Sequence, residues 1–203
     1  MPEGHPTGIF KNKIQDSITV TKLGLVGDYV ADKRVHGGPE KAIHHYPAEN
    51  YDILIREYGS ITSSLIPGAL GENISTIGLT ERNICIGDIF RVGGVMLQVS
   101  QPRSPCWKIN HKFEIGTVSR FIQSERITGW YYRVITEGLI EEGEYMRLQE
   151  RPHEQVTVAQ FLDVVHNHRP DPSKLMNLEN LSELSQEWKV RIKKRREWLQ
   201  KNA

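Results

Sequence analysis

A chain of 203 residues, 38% hydrophobic and 25% charged, has the size and composition of one mid-sized globular domain with a small appendage. A net charge of +1 excludes bulk attraction to nucleic acid or to an anionic membrane, so charged partners have to be met by local patches. Two cysteines, Cys85 and Cys106, make neither a disulfide scaffold nor a paired-thiol metal motif. With no apolar run of bilayer length and no signal-peptide core in MPEGHPTGIFKNK, they predict a cytoplasmic protein in a reducing compartment, away from membranes.

Residues 17–23 (SITVTKL) read as a strand, followed by a turn over 24–28. Pro47 opens a helix over 47–58, in which Tyr51, Leu54, Ile55 and Tyr58 recur at spacings of three and four. Residues 83–92 read as a strand interrupted at Gly87-Asp88. Gly93-Gly94 turns that strand into 95–100, where Val95, Leu97 and Val99 alternate with other residues. A short helix is predicted over 117–126 and strands over 130–135 and 144–148. Many turns and no alternation of strand with helix predict a mainly β fold with some α, a closed or partly closed barrel over residues 1–150. After a linker at Arg151-Pro152, residues 157–165, 173–181 and 185–199 read as the three helices of a small C-terminal domain, 151–203.

Three stretches carry candidate chemistry. In SQPRSPCWK, residues 100–108, two prolines stiffen a loop after a strand and hold Arg103 and Cys106 in place. Arg103 favours the thiolate, a soft ligand for a transition metal. A lone cysteine is more often a small buried hydrophobe, and Cys85, inside an apolar strand, is read that way. In GDYVADKRVHGGPEKAIHHY, residues 27–46, Lys33, Arg34 and His36 stand beside Gly37-Gly38, a pattern suited to phosphate and equally to an ordinary turn with solvated charges. His44 and His45 are neighbours in sequence, so on a strand only one of them faces a given site. A zinc site from His36, His44 and Cys106 has no recognised spacing. In GALGENIS, residues 68–75, Glu72-Asn73 could grip a heterocycle, but a turn closed by Asn73 on its own backbone is the simpler reading.

Together GDYVADKRVHGGPEKAIHHYP, GALGENISTIGLTERNICIGDIFRVG and LQVSQPRSPCWKIN resemble the MOSC domain, and within it the branch linked to resistance to hydroxylaminopurine base analogues. The resemblance runs from about Gly8 to Leu148, and the C-terminal helices look like the three-helix unit that follows the domain in that branch. It implies a β-barrel-like fold that binds the molybdopterin form of the molybdenum cofactor, with Cys106 as the metal ligand. Lys33, Arg34, His36, Gly37, Asn73, Ser100 and Arg103 are then expected near the pterin, its phosphate or the metal. The implied activity is reduction of N-hydroxylated compounds, hydroxylaminopurine-type bases and hydroxylamines, to amines. Electrons come from a separate flavin-containing reductase. Arg103 would stabilise negative charge, and His36 or His44 would donate a proton. The family is also associated with pyridoxal phosphate binding. The alternative is a non-catalytic carrier of the cofactor or of sulfur.

Two further readings concern the ends of the chain. Relatives usually carry an extra strand ahead of the PEGHPTGI-like segment, whereas this sequence has Met1 there, so the expected barrel lacks that opening strand or the true start lies upstream. At the other end Lys189, Arg191, Lys193, Lys194, Arg195 and Arg196 make 185–199 strongly basic. The default reading is a solvated helix face. The functional one is a docking surface for an acidic electron-transfer partner. Nucleic-acid binding through these helices is a weaker rival that the net charge opposes. An oligomer stays open.

Overall fold

Val95, Leu97 and Val99 are each fully buried. Alternate residues of one strand share one face, so the strand that carries them has to lie inside a covered sheet. In the computed structural model, which describes residues 7–31 and 36–202, it does. In chain order the elements are β1 (Ile18–Thr21), β2 (Gly24–Leu25), β3 (Ile43–His45), α1 (Glu49–Glu57), β4 (Ile89–Val92), β5 (Val95–Pro102), α2 (Trp107–Phe113) and α3 (Val118–Ser124). There follow β6 (Trp130–Thr136), β7 (Gly138–Ile140), β8 (Arg147–Glu150), α4 (Val158–His166), α5 (Pro172–Glu179) and α6 (Gln186–Lys201). A larger sheet has the order β3-β6-β5-β4-β8 and a smaller one β2-β1-β7, antiparallel throughout. The mainly β core with appended helices is as expected. The barrel takes the form of two sheets whose ladders, among the described residues, do not close into a ring.

The hairpin at Gly93-Gly94 forms where the sequence puts it, with Val92 opposite Val95. Gly93 has φ 51°, and the Leu139 carbonyl oxygen would lie 2.8 Å from any Cβ there, so a side chain is excluded on both counts. Other boundaries move. The strand expected over 83–92 is reduced to β4, because residues before it are held in a turn by Asp88, whose carboxylate accepts the Cys85 N–H (2.9 Å). Cys85 is buried, as read, and makes an isolated bridge to Thr157. The strand expected over 144–148 lies at Arg147–Glu150. Strand β2 forms inside the expected turn, and α2 and β7 arise where no element is expected.

The apolar stripe of α4 (Val158, Phe161, Leu162, Val165), with Leu175 and Leu178 of α5 and Trp188 and Ile192 of α6, packs into the same cluster as Val20, Ile43, Phe90, Val95, Leu97, Val99 and Trp130 of the sheets. Phe161 and Trp188 meet edge to face, 5.1 Å between centroids. A second cluster, including Tyr46, Tyr51, Leu54, Ile109, Phe113 and Ile122, lies under α1, α2 and α3. Much of the basic run on α6 clamps helices together. Arg195 donates to the carbonyls of Val165 and Asn167, Arg196 pairs with Glu179 (3.0 Å), and Lys189 donates to the Ser182 carbonyl (3.1 Å). Arg191 lies over the Trp188 ring at 4.3 Å. Only Lys193 and Lys194 of the run stand exposed with no such contact described. Among the described residues no helix is long and apolar enough to cross a membrane.

Candidate functional site

The loop that carries Cys106 starts from an irregularity in β5. The β5–β6 register shifts between Val99 and Gln101, a bulge that leaves Ser100 without an opposite residue and bends the strand. Ser100 is buried, and its O–H is shared between the carbonyls of Glu40 (2.6 Å) and Tyr131 (3.0 Å). Its own carbonyl accepts the Ser185 N–H (3.0 Å). Ser100, expected near the cofactor, is therefore engaged in the frame and does not line the cavity described below. After Pro102 the Arg103 N–H donates to the Gly129 carbonyl (3.1 Å), and the chain runs through Ser104 and Pro105 to Cys106, which caps α2 in an extended conformation. The thiol is partly exposed.

A cavity of about 780 Å³, open space at its mouth included, gathers residues from every stretch singled out in the sequence. His36, Gly37, Asn73, Arg103 and Cys106 all line it. Lys33 and Arg34 lie outside the described residues. Lys11, Asp28, Lys41, Lys108 and Tyr131, not picked from the sequence, line it as well, although Lys41 and Lys108 sit inside the quoted motifs, five residues after His36 and two after Cys106. Gly37 has φ 73°, and a Cβ there would lie 3.1 Å from Val30 Cγ1, so the backbone closes onto the cavity wall only as glycine.

Asn73 and Glu72 are both engaged in hydrogen bonds within the fold. Asn73 Nδ2 donates to Asp28 (2.8 Å), while its Oδ1 accepts the His44 N–H (2.9 Å) and its own N–H donates to the His44 carbonyl (2.8 Å). It thus ties β3 to the segment after β2, and Lys11 pairs with the same Asp28. Buried Glu72 accepts the N–H groups of Gly68 (2.7 Å) and Leu70 (3.1 Å) and the Tyr51 hydroxyl. The turn is closed on itself by Glu72 and not, as the simpler reading has it, by Asn73, whose bonds run instead to Asp28 and to the His44 backbone.

The two histidines divide as strand geometry requires. His44 lines the cavity. His45 stacks on Trp130 at 4.3 Å, lies within hydrogen-bond distance of Thr76 Oγ1 (3.0 Å) and Tyr132 Oη (3.2 Å), and is pushed down to about pKa 3 by burial. His44 is also held well below the ordinary imidazole range, first by burial and then by the Arg103 charge. Both causes favour the neutral imidazole over the charged proton donor that its ordinary pKa suggests.

Arg103 is the electrostatic centre of the cavity. It is 7% exposed; Nη2 donates to the Leu70 carbonyl (3.1 Å), Nη1 is buried without a hydrogen-bond partner, and no carboxylate pairs with it among the described residues. Lys41, which donates to Glu187 at the start of α6 (2.6 Å), and Lys108 add positive charge to the same wall. A buried cation with an unfilled donor favours an anionic occupant, and a partly exposed thiol beside it favours a soft metal. Among the described residues no three His, Cys, Asp or Glu side chains are close enough to hold a metal ion, so the zinc set of His36, His44 and Cys106 is not assembled. The residues present fit a metal that arrives inside an anionic cofactor and takes one thiolate from the protein.

Comparison with known proteins places the chain in a family. Residues 32–147 match the MOSC domain. Protein YiiM of Escherichia coli is 40% identical over 195 residues, 96% of this chain and 87% of that protein. The crystal structure of YiiM from Escherichia coli superposes with a TM-score of 0.84 at 36% identity, covering 94% of this chain and 89% of that one. A protein of Gibberella moniliformis named Reductase is 34% identical over 161 residues, 78% of this chain but 28% of its own length. With half the chain matched by the family and almost all of it by a relative, this chain belongs to the MOSC domain family, in the branch that YiiM represents.

Proposed function

We propose that the chain is a molybdenum-cofactor-dependent reductase of small N-hydroxylated compounds. The observation that carries the proposal is one cavity lined by a partly exposed thiol, Cys106, and by a buried guanidinium, Arg103, with an unfilled N–H. In this reading Cys106 holds the metal, while Arg103, Lys41 and Lys108 hold the anionic part of the cofactor. Bound there, the cofactor supplies a two-electron couple able to cleave an N–O bond. The overall conversion takes an N-hydroxylamine, two electrons and two protons to an amine and water. The electrons come from a separate flavin-containing reductase. The similarity to the Gibberella moniliformis protein named Reductase, of which the matching part is 28% of the length, supports the reductive reading.

The chain's own residues bind, orient and exclude water. Asn73 fixes the spacing between β3 and the segment after β2, so that Arg103 and Cys106 face a wall of constant shape. Neutral His44 is an acceptor or neutral donor beside Arg103, and His36, which also lines the cavity, is the remaining candidate for proton delivery.

The test uses protein purified from a host that makes the cofactor. About one molybdenum per chain by elemental analysis, and turnover of hydroxylamine with a reduced viologen dye, are expected. Cys106→Ser should lose both, with activity down by more than about a hundredfold. Stoichiometric molybdenum without turnover, with transfer of the cofactor to an apoenzyme, would overturn the reductase in favour of a carrier.

A further inference from the structure

Reducing an N-hydroxylamine consumes two protons, and a buried carboxyl group able to hold one stands in the fold with no cation beside it among the described residues. That group is Glu81. From α1 it faces Asn50 and Glu49, from the segment before β6 the Gly129 N–H, and from the residue after β3 Tyr46. From α4 the Ala159 N–H donates to its main-chain carbonyl (2.8 Å). Burial lifts the Glu81 pKa to about 7, so near neutral pH it holds a proton much of the time. The two groups bonded to its carboxyl, Asn50 Nδ2 (2.9 Å) and the Gly129 N–H (2.7 Å), are both donors. The proton has to find its acceptor elsewhere.

Tyr46 and His44 flank the same Gly129, and each has a buried polar atom, Oη and Nε2, without a hydrogen-bond partner. A Cβ on Gly129 would lie 3.1 Å from Tyr46 Cδ2 and 3.2 Å from His44 Nε2. The two rings are 6.5 Å apart between centroids. Burial raises the Tyr46 phenol well above its usual range, with Glu81 the next cause, so the hydroxyl stays neutral, able to accept and to donate. The other nitrogen of His44 bonds to the Gly71 backbone in a contact that favours the charged ring. That contact is therefore an N–H on a carbonyl, and Nε2 is left as a lone pair. His44 and Gly71 both line the cavity. The imidazole thus turns a lone pair toward Gly129 and an N–H toward the cavity wall. Buried groups left unpaired are costly, and a fold keeps few of them without a use.

We propose that Glu81, Tyr46 and His44 form a proton relay into the cavity, with Glu81 as its store. The Glu81 carboxyl gives its proton to Tyr46 Oη while the Tyr46 hydroxyl passes its own to His44 Nε2, directly or across one water. The His44 Nδ1 proton leaves to the substrate oxygen. Glu81 is left as a carboxylate and takes a new proton from solvent, so one of the two protons consumed enters by this route. Because His44 gains one proton as it loses another, it carries no lasting charge beside Arg103. The relay rests on the reductase reading above and adds the source of one proton.

Tyr46→Phe separates a relay from a merely structural residue. The hydroxyl makes no hydrogen bond, so its loss should leave urea-unfolding stability and molybdenum content at the wild-type level. With reduced viologen in excess, the variant should reduce hydroxylamine at least about tenfold more slowly, with KM unchanged. Glu81→Gln should lose as much in kcat and respond little to pH, whereas the wild-type kcat falls as pH rises through about 7. Infrared spectroscopy of cofactor-free protein follows the path without turnover. The protonated-carboxyl band that Glu81→Gln removes should exchange its proton for deuterium about tenfold more slowly in Tyr46→Phe than in the wild type. Wild-type kcat in Tyr46→Phe, a loss there that tracks molybdenum content, or an unchanged pH profile in Glu81→Gln would overturn the relay. If the wild type reduces no hydroxylamine, the reductase reading fails, and the infrared measurement alone decides whether the path exists. An unchanged exchange rate in Tyr46→Phe would then sink it.

Discussion

Burying a guanidinium without a carboxylate costs several kcal/mol, and a fold keeps such a group when something else supplies the negative charge. Arg103 is in that position, with one N–H on the Leu70 carbonyl and Nη1 unfilled. In cofactor-free protein the charge is then a liability. Arg103→Met, which keeps length and apolar volume, should leave urea-unfolding stability equal or raise it by about 1 kcal/mol or more. The same variant should lose molybdenum on purification. A large drop in cofactor-free stability would show that Arg103 is held for the fold. Glu81 has the opposite history. It is 3% exposed, its carboxylate accepts from Asn50 Nδ2 (2.9 Å) and the Gly129 N–H (2.7 Å), and no cation pairs with it among the described residues. Burial pushes its pKa from 4.5 up to about 7, with Glu49 adding in the same sense. The folded state therefore binds the proton more tightly than the unfolded chain, and this contribution is complete below pH 4.5 and lost as pH rises through 7. The loss is on the order of 3 kcal/mol. Glu81→Gln, which keeps an accepting oxygen, should flatten urea midpoints between pH 5 and 8, and an unchanged slope would count against Glu81 as its source.

At the scale of elements, what was legible in the sequence was what local chemistry fixes. Helix α4 was readable because its apolar spacing and its cap lie within ten residues. Thr157 Oγ1 accepts the Gln160 N–H (3.1 Å) while Gln160 Oε1 accepts the Thr157 N–H (2.9 Å), a reciprocal capping box. Thr157→Ala should cost about 1 kcal/mol in denaturant unfolding. A cost near zero would mean that packing alone holds the helix start. The β4–β5 hairpin was readable for the same reason. What was hidden depends on distant partners. Strand β7 has three residues and exists because β1, more than a hundred residues earlier, pairs with it. Helix α2 is seven residues long, and its apolar signal is two side chains, Ile109 and Phe113, that pack under α1 and α3. The site divides the same way. Cys106 and Arg103 announce themselves by a stiff proline frame. Ser100 looks equivalent to them until the bulge turns its hydroxyl toward Glu40 and Tyr131. Tyr29 and Leu23, which also line the cavity, carried no signal, because which side chains border a cavity is a property of the assembled fold.

Across the whole molecule, the C-terminal helices are joined to the cavity by more than a linker. The Ser185 N–H bonds to the Ser100 carbonyl, Glu187 pairs with cavity-lining Lys41, and the Glu183 carbonyl accepts from Arg133 of β6 (2.7 Å). At the linker itself Arg151 grips buried Asp88 through two bonds, 2.9 and 2.6 Å. Val158, Phe161, Leu162, Leu175, Trp188 and Ile192 lie in one cluster with the sheet residues. At about 1.5–3 kcal/mol for each such side chain, their burial contributes about 10 kcal/mol or more. That is comparable with the whole stability of an ordinary domain, so the sheets without these helices should not keep a cooperative fold. A chain ending at residue 150 is therefore expected to aggregate or to lose its near-ultraviolet dichroism. In the full chain, unfolding followed by the fluorescence of its four tryptophans, which include buried Trp130 in β6 and Trp188 in α6, should coincide with unfolding followed by far-ultraviolet dichroism in a single transition. Two separated transitions, or a folded 1–150 fragment, would mean that residues 151–203 fold as an independent domain. The bonds through Ser185 and Glu187 would then be contacts between two bodies. A single transition would instead make the helices one cooperative unit with the sheets that carry the Cys106 loop, so that core substitutions as remote as Phe161→Ala should weaken molybdenum retention along with stability.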